Sequence, residues 1–217
     1  MTVRIILFDF DGTIADTLDS IVKITNRLAG EFGYKKTTQE EVEYMRNMNS
    51  MQIIKTSGIP IFKVPFLLQM VKLELNHEIQ NLKPIPGMLE ALQILSNKEY
   101  KLGIVTSNSL ENVKGFLERN DMNKLFSFIH AGSTLFGKNK AIKSFLKKEG
   151  VSPEKVIYVG DETRDIEAAR KAKIKVIAVS WGFNSKAVLS KHNPDLAINQ
   201  PQDLIEAIAR LQETSKP

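Results

Sequence analysis

The sequence predicts an α/β protein, a parallel sheet covered on both faces by helices and interrupted near its start by a wholly helical insertion. Three observations carry that reading. Short apolar runs alternate with helix-patterned segments from Pro86 to the end of the chain, and strands alternating with helices of about 10 to 15 residues mark βαβ units and a parallel sheet. A further apolar run, Val3 to Phe8, stands alone at the beginning. Between the two, from 17 to 83, nothing alternates as a strand would.

Taken in order, the first strand ends in Asp9-Phe10-Asp11-Gly12-Thr13. A helix follows, with Leu18, Ile21, Val22, Ile24 and Leu28 at helical spacing, Asp16 or Thr17 as its N-cap and Gly33 as its close. Thr38 caps a second helix with Glu40 and Glu41 in its first turn. Helices over Met51 to Ser57 and Phe66 to Ile79 complete the insertion, which Pro60, Pro65, Pro84 and Pro86 punctuate. The remaining expected elements are helix Met88–Ser96, strand Leu102–Thr106, helix Leu110–Arg119, strand Phe128–Ala131, helix Asn139–Glu149, strand Val156–Val159, helix Arg164–Ala172, strand Val176–Val179, strand Leu196–Ile198 and helix Leu204–Leu211. The whole is a Rossmann-like three-layer α/β/α core formed by 1–16 and 84–217, with 17–83 as an inserted α-helical cap.

Composition narrows the function classes. The chain has 217 residues, 42% of them hydrophobic and 25% charged, which is ordinary for a globular protein with a buried core. With no cysteine, disulfides, thiolate catalysis and Cys-ligated metal sites are excluded. The net charge of +5 is spread as single lysines over helix surfaces without a basic arm, so no nucleic-acid partner is expected. No apolar segment approaches the roughly 20 residues that span a bilayer, and the N-terminal run ends in acids, unlike a signal peptide. The expectation is a cytoplasmic protein, monomer or homodimer, with a small-molecule partner and no membrane.

Ligands of open parallel sheets bind outside the carboxyl ends of the strands, where loops and helix N-termini gather. Four such ends carry chemistry here. Asp9 and Asp11 are two residues apart and project to one side of extended backbone; Gly12 permits a turn or a close approach, and Thr13 adds a hydroxyl beside a run of expected free backbone N–H groups. The second end supplies Thr106, Ser107 and Asn108, the third leads through Gly132 to Lys138, and the fourth is Gly160-Asp161-Glu162-Thr163-Arg164-Asp165. Asp161 and Asp165, four apart at a helix start, can point back over the sheet edge. Four carboxylates in one crevice call for a hard divalent cation, Mg²⁺ above all. Beside them, a hydroxyl and a lysine can donate to phosphoryl oxygens, and phosphoryl transfer asks chiefly for such positioning and charge stabilisation.

Each motif alone has a plainer reading. An Asp-x-Asp-Gly can be a calcium or turn motif, Thr106 and Ser107 can cap a helix, Lys138 and Lys140 can be surface lysines, and Asp161 with Asp165 can be an acidic helix start. Their succession at four strand ends of one sheet is what points to a site.

These motifs, in this order, resemble those of the haloacid dehalogenase superfamily, most of all its phosphoglycolate phosphatase-like branch with a helical cap after the first strand. The resemblance implies a Mg²⁺-dependent phosphatase acting on a small phosphorylated metabolite through an aspartyl phosphate, with a sugar phosphomutase or an inorganic pyrophosphatase as alternatives on the same core. It makes Asp9 the nucleophile and a metal ligand. Asp11 becomes the general acid and base, with its backbone carbonyl on Mg²⁺. Thr106 and Lys138 become the phosphoryl holders, with Gly12, Thr13, Ser107 and Asn108 around them, and Asp161 and Asp165 complete the metal site. Ser107 could replace Thr106 and Lys140 could replace Lys138. On the cap, Arg46, Asn47, Asn49 and Lys55 are the candidate substrate readers, Arg46 suiting a second anionic group. The hinges are expected at Asp16–Ile21 and Leu82–Pro86.

Overall fold

A computed structural model of the chain describes residues 3–79, 81–132 and 137–213. The six strands are β1 (Ile5–Phe8), β2 (Lys101–Val105), β3 (Phe128–His130), β4 (Val156–Gly160), β5 (Lys175–Val179) and β6 (Leu196–Ile198). They form one sheet in the order β3-β2-β1-β4-β5-β6, every neighbouring pair parallel. The order reverses direction at β1, so the crevice above the carboxyl end of β1 is the switch point at which such sheets bind ligands.

Because successive strand residues face opposite sides, each buried strand supplies both layers. Ile6 and Phe8 of β1, Ile157 and Val159 of β4, and Ile177 and Val179 of β5 pack with α5 (Met88–Asn97), α6 (Leu110–Arg119) and α10 (Leu204–Glu213). Ile5 and Leu7, Val156 and Tyr158, and Val176 and Ala178 pack with α7 (Lys138–Glu149), α8 (Thr163–Ala172) and α9 (Lys186–Lys191). The expected layers are therefore present, and the expected boundaries are met to within a residue or two. Helix α9 was not anticipated, six residues being too few to establish a helical period.

Between β1 and α5 the described chain contains only helices, α1 (Leu18–Phe32), α2 (Gln39–Met45), α3 (Ser50–Thr56) and α4 (Val64–Glu78), with a short 3-10 turn before α4. Gly33 ends α1 in the left-handed region, at φ 74°, and its N–H bonds Ala29 O. Thr38 and Glu41 form a capping box on α2. Thr17 occupies the N-cap of α1 but makes no capping bond, because its backbone is already helical at φ −106°, ψ −8°.

The two connections to the insertion run side by side. Asp16 N donates to Lys83 O at 3.0 Å and Ile85 N to Ile14 O at 2.9 Å, an antiparallel clasp at the expected hinge positions. The apolar cluster is continuous across it, from Ile24, Leu28, Val71 and Leu75 through Ile14, Ile79 and Leu82 to Phe10 and Phe116. No helix among the described residues is long and apolar enough to cross a membrane.

Candidate active site

Strand parity sends Asp9 to the side of the sheet covered by α7 and α8, and there it meets their first turns. Lys138, the first residue of α7, is buried, and its Nζ donates to Asp9 Oδ2 at 2.7 Å and to Asp165 Oδ1. The same ammonium lies 5.6 Å from the Tyr158 ring centroid, and that phenol donates to Val105 O. Lys140 is exposed; the lysine that reaches the acids is Lys138.

Asp9 Oδ1 accepts from the N–H of Phe10 at 2.8 Å. Asp161, fully buried, accepts from Thr13 Oγ1 at 2.8 Å and from Phe183 N at 2.7 Å. Asp165 Oδ2 accepts from Glu162 N, half of the capping box that starts α8. Ligand oxygens of Asp9, Asp161 and Asp165 all lie within 4.8 Å of one another. Asp11 stands apart from this triad: both of its carboxylate oxygens accept from Asn108 Nδ2, at 3.0 Å each. The structure thus separates three carboxylates that converge from one held aside by an amide.

The electrostatics follow from burial. Asp11 is pushed up to about 7, first by desolvation and then by Asp9, against the opposing pull of the Asn108 amide and the Arg164 guanidinium. Desolvation, with Glu162, Asp9 and Asp165, drives Asp161 well above the carboxylate range. Asp165 rises to about 6, again from desolvation, with Lys138 and Arg164 opposing. Burial would depress Lys138, but Asp165 and Asp9 outweigh it and raise the ammonium. Carboxylates outnumber cations in this dry volume, and the three that converge offer hard oxygen donors; a divalent cation of the Mg²⁺ type fits that donor set and relieves its crowding.

Glycines make the approach possible. Gly12 has φ +71°, and a Cβ there would lie 2.4 Å from Asp161 Oδ2. At Gly160 an added Cβ would lie 2.5 Å from Asp165 Oδ2. One expectation is not met: the N–H groups of Gly12 and Thr13 are not open to a ligand, since they close the turn on Ala15 O and Phe10 O, and the Thr13 hydroxyl is spent on Asp161. Both residues shape the site rather than line it as donors. Thr106, fully buried at the end of β2, accepts from Asn108 N at 3.0 Å, whereas Ser107 is half-exposed.

The residues expected on the cap lie on α3 and in the turn that joins α2 to it. Asn49 caps α3 and pairs with Gln52; Asn47 Oδ1 accepts from Ser185 Oγ. Arg46 bonds Ser180 O and pairs with Glu43, while its own carbonyl accepts from Ser185 N. Lys55 sits in the last turn of α3. Arg46 and Asn47 help build the seam between the insertion and the loop 180–185. A cavity of about 410 Å³ lies inside the insertion and meets the core at Glu162, Phe183 and Asn184; the three convergent acids do not line it.

Sequence reasoning passed over that loop, although the strand-end rule applies equally to β5. Phe183 N holds Asp161, Asn184 Oδ1 caps Thr163 N, and Trp181 Nε1 donates to Thr13 O. Arg164, within a hexapeptide already singled out, pairs with Glu162, which also accepts from Ser50 Oγ of the insertion at 3.1 Å. Lys72 of α4 is half-buried; desolvation lowers its pKa and Asp11 opposes that, so the cation and the acid act on the same crevice. Residues 133–136, in the loop leading to Lys138, lie outside those described.

A carboxylate triad, a bridging lysine and a detached fourth acid thus meet at the switch point of a parallel α/β sheet, beside a helical insertion. The chain belongs to the haloacid dehalogenase-like hydrolases, whose family model matches residues 6–179. It is 37% identical over 206 residues to a phosphoglycolate phosphatase of Synechococcus elongatus, covering 95% of this chain and 97% of that protein. It is 26% identical to the pyrophosphatase PpaX of Oceanobacillus iheyensis, covering 96% and 98%. Among solved structures, a predicted phosphatase from Clostridium acetobutylicum superposes with a TM-score of 0.82 at 19% identity, covering 97% of this chain and all of the other.

Proposed function

We propose that this protein is a Mg²⁺-dependent phosphatase that hydrolyses a small phosphoric monoester of the phosphoglycolate type through an aspartyl phosphate on Asp9. The observation that carries the reading is the division of labour among the four acids, three converging with Lys138 and one, Asp11, set aside on an amide with a pKa near 7. The likeness to the Synechococcus phosphoglycolate phosphatase supports the substrate class.

The chemistry assigned to the residues is as follows. A carboxylate oxygen of Asp9 attacks phosphorus, the bond to the leaving oxygen breaks, and Asp11 gives that oxygen its proton. Water then attacks the aspartyl phosphate, Asp11 takes the water's proton, and inorganic phosphate leaves with Asp9 restored. A pKa near 7 suits an acid that must act in both directions near neutral pH. Lys138 and Thr106 hold the transferring group and neutralise its oxygens, with Asn108 and Ser107 beside them. Asp9, Asp161 and Asp165, with the backbone carbonyl of Asp11, would hold Mg²⁺, which supplies charge neutralisation of the phosphoryl group when bound.

The insertion 17–83 serves as the cap that excludes water and reads the organic part of the substrate. Arg46, Lys72 and Arg164 are the cations we assign to a second anionic group such as a carboxylate. Pyrophosphate is the second reading, favoured by the likeness to the pyrophosphatase PpaX of Oceanobacillus iheyensis.

Phosphate release from a panel of phosphoesters and pyrophosphate, with Mg²⁺ and with chelator, tests the proposal. We expect release from a small carboxylate-bearing monoester, loss of at least about 1,000-fold in kcat for Asp9→Asn with the fold intact, and no turnover in chelator. Near wild-type turnover by Asp9→Asn would overturn the mechanism; isomerised sugar phosphate without free phosphate would replace hydrolase by mutase.

A further inference from the structure

The amide that holds Asp11 is itself held from the insertion. Asn108 Oδ1 accepts from Ser109 N at 2.7 Å and from Asn112 Nδ2 at 2.9 Å. Asn112, fully buried on α6, also donates to Lys72 O of α4 at 3.0 Å and accepts on Oδ1 from Asn76 Nδ2 of α4 at 2.7 Å. Three amides thus run in line from α4 through α6 to the two oxygens of Asp11.

The direction of this line is imposed at two points by backbone groups that have a single role. Lys72 O can only accept, so the Nδ2 side of Asn112 must face it; Ser109 N can only donate, so the Oδ1 side of Asn108 must face that. With both orientations set, Asn112 uses both of its N–H bonds and its oxygen is available to Asn76 alone among the described residues. Each amide therefore passes one N–H to the next group along the line toward Asp11, the second N–H of Asn112 going to Lys72 O. If Asn112 is removed, one of the two contacts that orient Asn108 is lost, and a flipped Asn108 would present its carbonyl to a carboxylate.

We propose that Asn112 is a positioning residue of this site and that, through Asn76, it makes the seating of α4 on the core a condition for the setting of Asp11. The inference rests on the reading of Asp11 as the proton carrier. Lifting α4 from the core takes away Asn76 and Lys72 O together and opens the Asn112 amide to water, which does not fix its orientation, so the chain is complete only when the insertion is down. The acid is then fully set only over an enclosed substrate, which couples closure to proton transfer and not to phosphate binding.

The test uses the full-length protein with Asn76→Ala and Asn112→Leu. The side-chain NH₂ resonance of Asn108, assigned by its loss in Asn108→Asp, is followed by hydrogen exchange without metal; kcat and KM are measured with Mg²⁺ and phosphoglycolate, an alkyl ester whose leaving oxygen must take a proton. We expect exchange of the Asn108 amide to speed about tenfold or more in both variants, and kcat to fall about tenfold for Asn76→Ala and up to about 100-fold for Asn112→Leu, with KM within about twofold. Unchanged exchange in the variants overturns the proposal, as does a kcat within about twofold of wild type or a loss carried by KM. Asn76 is half-exposed, so Asn76→Ala decides the matter if Asn112→Leu does not fold. Failure of the wild-type enzyme to release phosphate would instead strike the functional reading, and the exchange measurement would still report on the chain.

Discussion

Replacing Gly12 with alanine puts a methyl group into the most crowded point of the site. The backbone there has φ +71°, a region that costs a residue bearing a Cβ roughly 1–2 kcal/mol. The new carbon would stand 2.4 Å from Asp161 Oδ2 and 2.5 Å from Phe183 Cδ2. The Phe183 ring can rotate away, but the Asp161 oxygens are fixed by the Thr13 hydroxyl and the Phe183 N–H, so the carboxylate must move as a unit. Overpacking of this kind costs about 1–3 kcal/mol. The combined loss is about 2–5 kcal/mol, and for a chain of this size it lowers Tm by roughly 5–20 °C. Thermal unfolding followed by circular dichroism, with and without Mg²⁺, is the assay. We expect the Tm drop and also a smaller Mg²⁺-induced rise than in wild type, because Asp161 is displaced from the triad. A Tm within about 2 °C of wild type, with the Mg²⁺ effect intact, would refute the reasoning that Gly12 is required by both its conformation and the approach of Asp161.

Three further outcomes are expected. Lys138→Met leaves Asp9 and Asp165 buried without their ammonium, a loss of about 3–5 kcal/mol, which calorimetry should show as a lower Tm that recovers partly when pH is lowered or Mg²⁺ is added. Because Asp11 and Asp165 have folded-state pKa values of about 7 and 6, above the ordinary 3.8, the folded state binds more protons than the unfolded one between those limits. Their contribution favours folding at acid pH and is lost as pH rises from about 4 to about 7, so in chelator Tm should fall from pH 5.5 to 7.5, and Mg²⁺ should flatten the slope; a Tm that climbs over this range contradicts the assigned shifts. Thr106→Val should lower kcat far more than Ser107→Ala in a phosphate-release assay, since Thr106 is buried against the motif and Ser107 is half-exposed; the opposite ranking would give Ser107 the phosphoryl contact.

Much of the site was legible because strand ends are periodic features. Asp9, Thr106 and Asp161 each terminate an apolar run, and a parallel sheet brings such ends to one edge whatever the loops do. Lys138 against Lys140 was undecidable from spacing, as both fall in the first turn of α7; burial of one and exposure of the other came from how that turn meets Asp9 and Asp165. The surroundings of the cap residues were hidden for a related reason. Arg46 and Asn47 look free as sequence, but the loop after β5 meets both, and which loop lies under a helical insertion is not encoded in the insertion's own residues.

By itself, then, the sequence determined the layers, the insertion and the identity of the acids, since hydrophobic period and strand-end chemistry are local properties that survive without knowledge of neighbours. Only the tertiary structure decided how the acids divide. Asp9, Asp161 and Asp165 converge because β1, β4 and α8 meet at one point, and Asp11 is detached because α6 and α4 bring Asn108, Asn112 and Asn76 into line behind it. Those contacts join residues far apart in the chain, and the raised pKa values of Asp11, Asp161 and Asp165 come from burial and from charges that folding alone assembles.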